Sequence, residues 1–119
     1  MSDPDKSNFN TIIREIIKKS LFTERQIEII LKQKKILDVE FGVSKGAYYR
    51  QVAQSRSEIE SVYYTLILLQ AYDVILTNTD VISRLAEQVN VMKDGEFAPE
   101  NEDQILDVIQ KTVRQMVDV

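Results

Sequence analysis

Apolar residues recur along this chain at every third or fourth position and almost nowhere at every second one, the spacing that lines one side of an α-helix. Phe9, Ile12, Ile13, Ile16 and Ile17 form the first such stripe, with Arg14, Lys18 and Lys19 off it, which predicts a helix from Asn8 to Lys19. A second helix is expected at TERQ, residues 23 to 26. Thr23 can cap it, and Gln26, three residues on, can reach back as in a capping box. Its inner face runs through Ile27, Ile30, Leu31 and, beyond Lys32 to Lys35, Leu37.

Gly42 ends that region, and Ser44 is placed to cap a third helix by accepting from the amides of its first turn. At about 100° per residue from Tyr48, the side chains of Val52, Ile59, Val62 and Leu66 share one direction, and Arg50, Gln54 and Ser57 point the opposite way. From Val62 to Leu76 the sequence VYYTLILLQAYDVIL is apolar nearly all round, so it demands burial on more than one side. Val52, Ser55, Ile59, Val62, Leu66, Leu69, Asp73 and Leu76 also keep the 3,4 spacing of a helix–helix seam. A dimer interface through Ile59, Val62, Leu66, Leu69 and Leu76 satisfies this pattern, and so does a central helix wrapped by the rest of the chain.

LTNTD, residues 76 to 80, reads as a turn into a fourth helix capped by Thr77 or Thr79, with Val81, Ile82, Leu85, Val89 and Met92 inward. KDGEFAPEN, residues 93 to 101, is a loop broken by Gly95 and Pro99. Asn101 and Gln104 then open a fifth helix with Ile105, Val108, Ile109, Val113 and Met116 as its stripe. The prediction is an all-α fold of about five helices.

Composition narrows the chemistry. A chain of 119 residues is the size of one compact domain. It has no cysteine and no histidine, which removes thiol and imidazole catalysis, thiolate or imidazole metal sites, and disulfides. The carboxylates Glu24 with Glu28, and Glu100 with Glu102 and Asp103, could hold a hard cation. Both sets sit at helix starts, where the helix dipole accounts for them. No phosphate loop or nucleophile–base pair is present, so neither an enzyme nor a bound cofactor or metal is expected. No apolar run reaches the ~18 residues of a membrane span, and MSDPDKSNFN is unlike a signal peptide, which together predict a cytoplasmic protein with no membrane partner.

The net charge of −4 conceals a division. Arg14 to Arg56 holds ten Lys/Arg against five Asp/Glu, a surplus of five, and Ser61 to Val119 holds four against ten, a deficit of six. That asymmetry suggests an anionic partner for the basic half, and solvent or a protein partner for the acidic C-terminal half. Two solvated faces of opposite sign would look the same.

The third helix carries a resemblance. FGVSKGAYYRQVAQSRSEI, residues 41 to 59, is similar to the turn and recognition helix of helix-turn-helix proteins of the sigma-factor region 4 and LuxR type, and FTERQIEII, residues 22 to 30, to the start of their first helix. The match covers residues 21 to 60. The distance from TERQ to GVS is shorter than usual, so KKILDVEF must end one helix and supply all of the next, and Asp38 falls where the family has a small residue. The resemblance implies that Lys45, Tyr49, Arg50 and Gln54 face DNA. Arg50 would meet guanine or phosphate, Gln54 adenine, and Lys45 and Tyr49 the backbone. Arg56, Lys32, Lys34 and Lys35 would be further phosphate contacts.

The expected organisation is a basic helix-turn-helix-like half, residues 1–60, leading through a long apolar central helix into an acidic helical half, residues 61–119, within one compact domain. The expected function is sequence-dependent binding of double-stranded DNA by a homodimeric transcriptional regulator. The alternative is a helical interaction or oligomerisation module that ignores nucleic acid, with Lys32, Lys34 and Lys35 as a solvated face, Tyr48 in the core and Tyr49 a surface aromatic.

Overall fold

The computed structural model describes residues 7–75, 79–95 and 97–119. Leu76 of the expected seam, and the Thr77 and Thr79 side chains expected to cap the fourth helix, lie outside the described residues. The elements are α1 (Thr11–Lys19), α2 (Glu24–Gln33), α3 (Lys45–Ala71), α4 (Thr79–Met92) and α5 (Pro99–Met116). Among the described residues the only extended pairing is an isolated antiparallel bridge between Ile75 and Val117, beside which the Asp118 amide donates to the Val74 carbonyl at 2.9 Å. The fold is all-α, as the 3,4 periodicity predicts.

The chain divides into two compact units, Ile17–Leu68, and Met1–Ile16 with Leu69–Val119. The divisions fall inside α1 and α3, whereas the change in charge and hydropathy along the sequence lies near residue 60.

In the unit formed by the two ends of the chain, Asn10 does three jobs. Its Oδ1 accepts from the Ile13 amide at 3.1 Å, and its Nδ2 donates to the carbonyls of Met92 at 2.7 Å and Gly95 at 2.8 Å. One side chain thus caps the start of α1 and ties it to carbonyls at and just beyond the end of α4. Asn10 also explains why α1 begins at Thr11, where the apolar stripe alone suggested Asn8. Ile12 and Met92 are buried here. At Gly95 a Cβ would stand 2.7 Å from the Phe97 ring, so a larger residue there would have to displace the end of that side chain. The fifth helix starts at Pro99 with Ala98 as its cap and no side-chain bond, so Asn101 lies inside the helix it was expected to open. Proline suits that first position because its missing N–H has no partner there to lose. Ile82, Val108 and Val113, expected to face inward, are about half exposed.

In the unit Ile17–Leu68, α2 opens on a complete capping box. The Thr23 hydroxyl accepts from the Gln26 amide at 3.2 Å, and the Gln26 Oε1 accepts from the Thr23 amide at 2.7 Å. The same Gln26 donates from Nε2 to Glu58 on α3 at 2.8 Å. The buried residue of α2 is Ile29, off the predicted stripe, while Ile27, Ile30 and Leu31 are half-buried. Ile17, Val52 and Ser55 complete the buried set of this unit.

Two helices end in the same way without glycine. After α2, Lys35 takes a left-handed conformation (φ 61°), its amide bonding to the Lys32 carbonyl and the next amide, Ile36, to Leu31. After α3, Asp73 (φ 57°) bonds to Gln70 and Val74 to Leu69. Both are Schellman ends, in which the 6→1 and 5→2 bonds take up carbonyls the helix leaves open. Gly42, read from the sequence as the stop, has no left-handed backbone and open space around it.

Candidate nucleic-acid interface

The start of α3 is set by Ser44, whose Oγ accepts from the Ala47 amide at 3.1 Å while its carbonyl takes the Tyr48 amide. Upstream, residues 34–44 contain no helix, so the separate second helix that the family resemblance implied over KKILDVEF is absent. The reason is local. The Schellman end at Lys35 turns the chain out of α2, and a cluster of rings and cations then ties the non-helical connection down. The Arg25 guanidinium lies 3.8 Å above the Phe41 ring, and Phe41 stacks on Tyr48 with centroids 6.2 Å apart. The Tyr48 hydroxyl donates to Gln33 Oε1 at 3.1 Å. Lys32 donates to the Val39 carbonyl at 2.6 Å with its ammonium 5.3 Å from the Phe41 centroid. Cation–π and aromatic contacts of this kind each contribute on the order of 0.5–1.5 kcal/mol. They fix the N-terminus of α3 to α2 without a helix between them.

This cluster reassigns Lys32. Expected to meet phosphate, it is half-buried and bound to the connection. Lys34, Lys35, Lys45, Tyr49, Arg50, Gln54 and Arg56 are all exposed. They do not form one patch. Around α3, taking Tyr48 as the origin, Lys45, Arg56 and Tyr49 fall at about 60–100°, and Arg50 and Gln54 at about 200–240°. The Lys45 ammonium lies 6.0 Å from the Tyr49 ring centroid, and Gln54 reaches Glu58 at 3.5 Å. The face opposite Arg50 and Gln54 carries the buried Val52 and Ser55, so the polar side of the helix faces outward as its pattern predicts.

The apolar half of α3 departs further from expectation. Within the expected seam Ile59 and Val62 are half-buried, as is Leu69, and Leu66 is 37% exposed. The largest exposed apolar side chains lie elsewhere on the helix: Tyr63, Tyr64, Ile67 and Leu68, of which Tyr64 reaches 73%. Burial on several sides, expected for this stretch, is not found among the described residues. Beside Tyr63 an open groove of about 270 Å³ runs between α2 and α3, with Ile29, Ile30, Val52 and Ile59 in its walls together with Lys34 and Arg56.

Sequence reasoning missed the Arg25–Phe41 pairing and the exposure of the tyrosines. The first had one available signal, a lone aromatic in a polar connection. The second had none, since burial and exposure give the same all-round apolar pattern. Comparison with known proteins brings no outside assignment: the chain matches no protein-family model, no curated protein and no solved structure. No helix among the described residues is long and apolar enough to cross a membrane.

Proposed function

We propose that this protein binds double-stranded DNA through the N-terminal turns of α3, as a homodimeric transcriptional regulator of the cytoplasm. The observation that carries this reading is the outward projection of Arg50 and Gln54 from the side of the helix opposite its anchors Val52 and Ser55. A recognition helix needs that division, with one side held by the body and long donors free to reach base edges and phosphates. Arg50 has the fork that matches guanine O6 and N7, and Gln54 the amide that matches adenine N6 and N7. Lys34, Lys35 and Lys45 supply the salt-sensitive contacts. The basic surplus of the N-terminal half favours such a partner, and the acidic C-terminal half is left for solvent or another protein.

Self-association has its own support in the exposed Tyr63, Tyr64, Ile67 and Leu68, because single apolar patches of this size are unusual on a surface that stays in water. A salt-titrated gel shift on mixed-sequence duplex tests the DNA reading. Binding at ~50 mM salt that weakens by roughly 0.9 log units per phosphate contact for each tenfold rise in salt supports it, and no binding at low salt rejects it. In the latter case the oligomerisation module remains.

A further inference from the structure

We propose that two copies of this chain pair through α3 in antiparallel orientation, along a stripe distinct from the Ile59–Val62–Leu66–Leu69 seam. The stripe is Tyr49, Ala53, Arg56, Glu60, Tyr63 and Ile67, spaced 4, 3, 4, 3 and 4, so that all six fall at about 60–140° around the helix. Every one of them is exposed, with Tyr63 and Ile67 both at 64%, and Tyr64 flanks the same side.

The sequence of the stripe is self-complementary when reversed. With the pair centred at residue 58, Arg56 of one copy faces Glu60 of the other, Ala53 faces Tyr63, and Tyr49 faces Ile67. Each contact occurs twice, as a two-fold interface requires. The pairing is charge to opposite charge, small to large, and aromatic to aliphatic. A parallel pair would instead set Arg56 on Arg56 and Glu60 on Glu60, which like-charge repulsion disfavours. The small Ala53 leaves room for the incoming Tyr63 beside the groove that Val52, Arg56 and Ile59 help to line.

The area is sufficient. At roughly 200 Å² for a whole tyrosine side chain, the exposed parts of Tyr49, Tyr63, Tyr64 and Ile67 come to about 500 Å². Ala53, Arg56 and Glu60 bring the stripe towards the ~800 Å² per partner of a standard interface. The pairing deepens the homodimer reading above and is independent of DNA binding. It removes Tyr49 and Arg56 from the DNA-facing set, sets Lys45 beside the seam, and leaves Arg50 and Gln54.

The full chain contains no cysteine, so thiol cross-linking has no background. Ala53→Cys and Tyr63→Cys copies, refolded together without DNA and oxidised, are expected to give a covalent dimer. Ala53→Cys alone is not, because its two sulfurs would sit about 15 Å apart along the axis, well beyond disulfide reach. Sedimentation at ~1–100 µM is expected to show a dimer that Arg56→Glu weakens at least about tenfold and that Arg56→Glu with Glu60→Arg restores. A monomer throughout, whether the groove is empty or holds a small apolar ligand, overturns the proposal. So does a dimer that cross-links through Ala53→Cys alone, one that fails to cross-link in the mixture, or one indifferent to Arg56→Glu. Failure of the unmodified dimer to bind duplex at low salt would reject the DNA reading and leave this pairing standing.

Discussion

Gln26 joins the start of α2 to the middle of α3, and its removal should cost more than the loss of a helix cap. Its Oε1 closes the capping box on the Thr23 amide at 2.7 Å, and its Nε2 donates to the Glu58 carboxylate at 2.8 Å. The box as a whole is worth about 1 kcal/mol, roughly half of it on the returning Gln26 bond. A hydrogen bond to a charged acceptor contributes ~1.5–3 kcal/mol, reduced to about 1 kcal/mol here because the pair is only partly buried. Gln26→Ala should therefore destabilise the protein by about 1 kcal/mol, once the ~0.4 kcal/mol by which alanine is the better helix former is set against the two lost bonds. Glu58→Ala should cost less than the bond it removes, because alanine is the better helix former by ~0.4 kcal/mol at a helical position. A double-mutant cycle cancels that bias and isolates the pair. Urea unfolding followed by circular dichroism at 222 nm, on Gln26→Ala, Glu58→Ala and the double variant, should give a coupling near 1 kcal/mol. The same cycle between Thr23→Ala and Glu58→Ala should give less than about 0.3 kcal/mol. Equal couplings, or none between Gln26 and Glu58, would refute the view that this side chain locks α3 to α2.

Arg50→Ala combined with Gln54→Ala should leave the fold unchanged, both side chains being exposed, and should relax base preference in a binding-site selection, by about 1–3 kcal/mol for each bidentate base pairing removed; a loss of helical signal would mean that these residues face the body. Lys35→Gly should stabilise the protein by about 0.5–1 kcal/mol in the same urea assay, because φ 61° costs a lysine what it does not cost a glycine, and the reverse sign would place the left-handed residue elsewhere. Asn10→Ala should destabilise by about 2 kcal/mol, from one missing cap and two lost bonds, of which the Met92 carbonyl keeps the Gly95 amide as a donor. Asn10→Asp, which keeps the cap acceptor but turns a carboxylate toward the Met92 and Gly95 carbonyls, should be no better, and recovery in that variant would show that the cap alone matters.

Helix type and the two side-chain caps of the basic half were legible because they are local. A stripe at 3,4 spacing, Thr23 with Gln26, and Ser44 before Lys45 each carry their physics within a few residues. Helix ends were harder to read. The stops at Lys35 and Asp73 depend on a left-handed conformation that glycine advertises and these residues do not, so the sequence pattern puts the stop at Gly42 and carries the central helix beyond Ala71. Long-range partners were illegible. Asn10 finds its acceptors more than eighty residues away, and Lys32 is held by the Val39 carbonyl and the Phe41 and Tyr48 rings beside a connection whose pattern suggests helix. The outward face of Arg50 and Gln54 could be read from periodicity, because an anchored helix has only one other side.

The two proposals meet in the geometry of α3. Around its axis the body lies near 0–20°, the proposed seam near 100°, and the Arg50–Gln54 face near 200–240°. In an antiparallel pair the two-fold axis is perpendicular to the plane of the two helices, so whatever points up from one copy also points up from the other. Arg50 and Gln54, turned roughly 100–140° from the seam, then lie on one common face of the dimer, and the anchoring bodies lie on the opposite face. At 1.5 Å per residue, the first turns of the two α3 helices, around Lys45 to Ala47, would be about 33–39 Å apart along the seam. That range includes the ~34–36 Å between half-sites one helical turn apart, the spacing a palindromic duplex presents to a two-fold protein. A parallel pair fails on the same reasoning, because its two-fold axis runs along the helices and sends the second Arg50 to the far side. Arg56→Glu, which touches no base in this arrangement, should then weaken DNA binding by as much as it weakens the dimer, while Arg50→Ala should weaken DNA binding and leave the dimer untouched.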